Sequence, residues 1–113
     1  MTHLQNARPA AEAQLDALLD HLAVRLAAEP GPAVLLGDLN LSPELVAPRL
    51  AGGGWTAVEV PPTFPSGAPE ERIDWVVLHG LECVGVEVPD VRSSDHRPVV
   101  VDARMRRIER FDA

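Results

Sequence analysis

Leucines recur at intervals of three and four over residues 9–28, so that Leu15, Leu18, Leu19, Leu22 and Leu26 share one face of a helix. Pro9 suits the first turn of that helix, and Glu29-Pro30-Gly31-Pro32 ends it. At about 1.5 Å per residue it is roughly 30 Å long, enough to lie across a sheet. Residues 33–36 form a short unbroken apolar run, the pattern of a strand buried on both faces, and it stops at Gly37-Asp38. Ser42 then offers a cap and Pro43 a first position for a short helix over residues 44–50, closed by Gly52-Gly53-Gly54. Residues 55–60 read as a strand and residues 61–69 as a proline-rich loop. Two further strands, residues 73–78 and 83–88, join around His79-Gly80, and residues 98–105 supply the last. The order predicts an α/β protein whose sheet is mixed or largely antiparallel, with the long helix packed on it. Residues 1–105 then form one domain or part of one, and residues 106–113 a charged, frayed tail.

Composition narrows the class. A chain of 113 residues with 46% apolar and 24% charged positions is globular and builds one modest core. No apolar run approaches the roughly 18 residues of a membrane span, and the first residues lack the basic and apolar regions of a secretory signal. Cys83, the single cysteine, is expected to be a small buried hydrophobe. A reducing cytoplasm is the expected compartment. The net charge is −7 and every basic residue is an arginine. That balance argues against holding nucleic acid through bulk electrostatics, though an acidic site acts on phosphates when a divalent cation stands between.

Three polar motifs sit where apolar runs begin or end: Gly37-Asp38-Leu39-Asn40, Arg72-Ile73-Asp74-Trp75 and Ser94-Asp95-His96-Arg97-Pro98. Strand ends are where α/β proteins build polar sites. Asp38 and Asn40 point to the same side if the strand continues through them; they equally suit an ordinary turn. Asp74 lies in an otherwise apolar run. It either orients a histidine through the ring's second nitrogen, or pairs with Arg72, or stays exposed at an edge. Asp95-His96 is either a solvated turn or a metal ligand beside an acid/base imidazole.

In order and spacing these motifs resemble the second half of the endonuclease/exonuclease/phosphatase superfamily of metal-dependent phosphoesterases. Residues 33–40 resemble its Gly-Asp-Phe-Asn strand end, residues 72–76 its Ile-Asp-Tyr strand, and residues 94–99 its Ser-Asp-His-Arg-Pro ending. Thr2-His3-Leu4 resembles the strand end before the family's long helix, and the Thr63-Phe64-Pro65 loop is also similar. The resemblance implies half of a four-layered α/β/β/α sandwich and Mg2+-dependent (or Mn2+-dependent) hydrolysis of a phosphodiester or phosphomonoester. It implies that Asp38 positions or deprotonates water, that Asn40 binds the scissile phosphate, and that His96 contacts the phosphate with Asp74 holding its ring. Asp95 would help hold the metal, and His3 would line the phosphate pocket. His21 and His79 match nothing in the pattern and are expected on the surface or in packing.

The glutamate that is the family's principal metal ligand is not identifiable in this sequence. The expectation is therefore an enzyme truncated at its N-terminus; the alternative is a non-catalytic half-domain that binds a partner. The substrate stays open among nucleic acid, lipid headgroup and small phosphate esters. A sheet face left without its other half is expected to be apolar and to promote self-association.

Overall fold

The structure, a computed structural model, describes residues 2–3 and 8–105, and of residues 2, 3 and 8 the main chain only. The expected tail therefore lies outside the described residues. In chain order the elements are β1 (Thr2–His3), α1 (Arg8–Ala28), β2 (Ala33–Asp38), α2 (Pro43–Leu50), β3 (Trp55–Ala57), β4 (Asp74–His79), β5 (Leu81–Glu87) and β6 (Val100–Met105). No helix among the described residues is long and apolar enough to cross a membrane.

Four strands build a mixed sheet in the order β1-β2-β4-β3. β1 and β2 run parallel with α1 as their crossover, while β4 lies antiparallel to both β2 and β3. The β2–β4 register sets Leu35 opposite Val77 and Gly37 opposite Trp75; Leu36 opposite Val76 and Asp38 opposite Asp74 take the other face.

The first face is covered by both helices. Leu35, Trp75 and Val77 pack with Ala11 and Leu15 of α1 and with Val46 and Leu50 of α2. Leu18, Leu19 and Leu22, partly buried, close the margin, so the leucine stripe faces the core as its spacing requires. The Trp75 indole donates to the Leu41 carbonyl at 3.2 Å, which satisfies its buried N–H. The other face carries a smaller core of Val58, Val60 and Leu78, flanked by Val76, Val88, Val99 and Val101.

Four expectations are corrected. The strand over residues 55–60 shortens to β3, although Val58 and Val60 remain buried. The last three strands do not share one sheet, because β5 and β6 form a separate two-stranded ribbon. Gly80, the single residue between β4 and β5, takes φ 71° and so turns the chain out of the main sheet. A bulge between Cys83 and Gly85 twists the ribbon further, and Cys83 is exposed rather than buried, since two strands cannot enclose a side chain between them. Ser42 occupies the cap position of α2 but makes no side-chain cap bond; its carbonyl accepts from the N–H groups of Leu45 and Val46.

Candidate active site

Asp38 ends β2, Asp74 begins β4, and the two are direct cross-strand partners on the face away from the helices. Like charges placed so repel, and a cation between them relieves the repulsion. His96, from the loop between β5 and β6, supplies it. Its Nδ1 lies 2.6 Å from Asp74 Oδ2 and its Nε2 lies 3.4 Å from Asp38 Oδ2. Burial alone would lower the pKa of His96. The hydrogen bond to Asp74 and the charges of Asp74, Asp38 and Asp95 outweigh that effect, so the value lies above the ordinary 6.5.

The loop ahead of β4 holds this imidazole in place. The Phe64 ring lies against it, centroids 4.9 Å apart. The Ser66 N–H donates to the Asp95 carbonyl at 2.8 Å, the Arg97 N–H donates to the Thr63 carbonyl at 2.8 Å, and Arg97 Nε donates to the Ser66 carbonyl at 2.7 Å. Thr63 Oγ1 donates to Asp74 Oδ2. Arg72 does not pair with Asp74. It lies over the Trp75 ring at 4.4 Å, donates to the Val58 carbonyl and reaches Glu59 at 3.3 Å. Of the readings open for Asp74, the histidine partner is the one the geometry bears.

A groove of about 700 Å3 opens over the cluster. Asp38, Asp74, Ser94, Asp95 and His96 line its polar end; Val34, Leu36 and Val76 of the sheet and Val99 and Val101 of the β6 segment line the rest. Asp95 is exposed, with the Ser94 hydroxyl 3.2 Å from its Oδ1. Asn40 does not line the groove. Of the two readings open for Asp38 and Asn40, the turn is the one that forms: β2 ends at Asp38 and Asn40 takes φ 49°, a conformation asparagine tolerates. Its N–H donates instead to Asp38 Oδ1 at 2.9 Å, an Asx turn that fixes the carboxylate. The main chain of His3 is paired beside Asp38, and its side chain lies outside the described residues. His21 is exposed, and His79 packs edge-on against Trp55, as expected of residues outside the site. Thr63 and Ser66 are contributors the sequence reading missed. Nothing in a proline-rich loop marks one hydroxyl as a carboxylate's partner, and only the loop's likeness to the superfamily drew any notice to it.

Ligand atoms from Asp38, Asp74 and His96 lie within 4.8 Å of one another, close enough to share a cation. The 2.6 Å contact between Asp74 and His96 is, however, a hydrogen bond. That pair is better suited to handling a proton. Carboxylate oxygens at the groove, with Asp95 at its exposed end, are the hard donors that a Mg2+-like ion takes, so the residues present fit such an ion in donor type.

The sequence model of the Endonuclease/Exonuclease/phosphatase family matches residues 1–96, and the span includes all three motifs up to His96. The chain belongs to this family. It is similar to the UPF0294 proteins of Vibrio vulnificus strains YJ016 and CMCP6, at 34% identity over 91 aligned residues. The alignment covers 74% of this chain and 31% of each relative, so the chain spans less than a third of their length. No solved structure matches it. Membership of the Endonuclease/Exonuclease/phosphatase family accounts for the order of the motifs; the pairing of Asp38, Asp74 and His96 is an observation on this chain itself.

Proposed function

We propose that this chain carries the water-activating part of a metal-dependent phosphoesterase site that cleaves a phosphodiester or phosphomonoester. The observation that supports this reading most is His96 set between Asp38 and Asp74, with each ring nitrogen facing one carboxylate. Asp74 holds Nδ1, which leaves Nε2 to face the groove. Asp38, fixed by the Asn40 N–H, orients a water or takes its proton. A protonated His96 donates to a phosphoryl oxygen, and the Asp74, Asp38 and Asp95 carboxylates around it favour that protonated form. In this reading a divalent cation such as Mg2+ or Mn2+, held by Asp95, supplies charge neutralisation at the phosphate. Asn40 contributes through Asp38 rather than from the groove wall, and His3 keeps only the phosphate-pocket role that the family resemblance implies. The face bearing Val34, Leu36 and Val76 is then where the second sheet of a four-layered sandwich lies.

A second reading, a non-catalytic half-domain with a binding partner, is favoured by one feature. Among the described residues the group able to share a cation contains no glutamate. Hydrolysis of bis(p-nitrophenyl) phosphate and p-nitrophenyl phosphate with Mg2+ or Mn2+ separates the two. Turnover by this chain is expected to be slow and its metal affinity weak, because few hard oxygens converge. Asp38→Asn and His96→Gln should each lower that rate by about 10^2-fold or more. A folded chain with no metal-dependent turnover above buffer, unaffected by either substitution, would establish the non-catalytic reading.

A further inference from the structure

Thr63 is wholly buried, and it holds Asp74 and the main chain next to His96. Its Oγ1 donates to Asp74 Oδ2, the same oxygen that lies 2.6 Å from His96 Nδ1. Its carbonyl accepts from the main-chain N–H of Arg97, one residue beyond His96, at 2.8 Å. Its own N–H donates to the Glu71 carbonyl at 3.1 Å, which ties it to the segment entering β4. A buried hydroxyl must give its proton to some acceptor, and a carboxylate oxygen met by two placed donors is fixed in rotation. We infer that Thr63 is a positioning residue, whose hydroxyl orients Asp74 to accept the Nδ1–H of His96 and so turns Nε2 toward Asp38 and the groove. Its part in hydrolysis rests on the phosphoesterase reading above. Its hold on the imidazole does not.

Thr63→Val removes the hydroxyl while keeping the side chain's size and both main-chain bonds; Thr63→Ser keeps the hydroxyl. In the full 15N-labelled chain at alkaline pH, where the ring is neutral, long-range 1H–15N correlation shows which nitrogen of His96 carries the proton. The unsubstituted chain and Thr63→Ser should show the Nδ1–H tautomer alone, and Thr63→Val a mixture of both. Where turnover is measurable, Thr63→Val should lower kcat about 10-fold or more with KM little changed, the usual scale for a group that orients a ligand's partner. A cooperatively folded Thr63→Val chain with the single Nδ1–H tautomer overturns the inference, as does a Thr63→Ser chain that behaves like it. Should Thr63→Val fail to fold, the unsubstituted chain decides the matter. A slowly exchanging Thr63 hydroxyl proton with a cross-peak to the His96 ring is then expected, and a rapidly exchanging one overturns the inference. Because the tautomer is read without substrate, a chain that hydrolyses nothing yet keeps the Nδ1–H form sinks the phosphoesterase reading alone.

Discussion

Asp38 and Asp74 face each other across the β2–β4 ladder, and a protonated His96 between them offsets their repulsion. A raised folded-state pKa means that the folded chain binds this proton more tightly than the unfolded one. The stabilisation is thus complete below the unfolded value of about 6.5 and is lost as pH rises through the higher folded value. Melting temperatures measured in EDTA should fall across that window in the unsubstituted chain, and His96→Gln should flatten the slope there. A slope unchanged by His96→Gln would mean that the imidazole does not bridge the two acids. At this scale the sequence was legible where each motif residue's partner lies in another motif: Asp74 and His96 were expected to meet, and they do. For Asn40 the sequence left a strand position and an ordinary turn both open, and the turn is what forms. Thr63 was illegible because its partner, Asp74, lies 11 residues away and only the folded loop brings them together.

The elements were legible to the degree that their patterns repeat. Five leucines over about three turns of α1 leave one orientation for the helix, and Leu15, which joins the cluster of Trp75 and Val77, is 0% exposed. Leu15→Ala should lower unfolding stability by about 2–5 kcal/mol, the cost of lost burial plus a cavity. Val24, 71% exposed on the same helix, should tolerate alanine within about 0.5 kcal/mol. Urea unfolding of both variants checks the contrast; equal losses would mean that α1 does not pack by its leucine face. The ribbon β5–β6 was read less well. An alternating strand gives its period but not its partner, and the single glycine at position 80 decides that β5 leaves the main sheet.

Across the whole molecule, the face that bears the acidic cluster is also the less covered one. Val34 is 47% exposed and Leu36 37% exposed on the sheet. Covering even about 600 Å2 of such surface is worth about 15 kcal/mol at 25 cal/mol per Å2, against a cost of association of about 4–15 kcal/mol. Self-association through this face is therefore expected. The net charge of −7 on every copy opposes it. Charge repulsion and apolar attraction respond to salt in opposite senses, which makes the balance readable. As ionic strength rises from about 0.01 M to about 1 M, the screening length falls from about 30 Å to about 3 Å, and the repulsion fades while the apolar term does not. Sulfate should strengthen the association further. Sedimentation velocity should thus show a monomer at low salt shifting to dimers or larger species at high salt. The double substitution Val34→Gln with Leu36→Gln should hold the monomer throughout while preserving the melt, since neither side chain belongs to the helix-covered core. Association that weakens as salt is added, or that survives the double substitution, would place the contact on charged surface instead of on the sheet face beside Asp38.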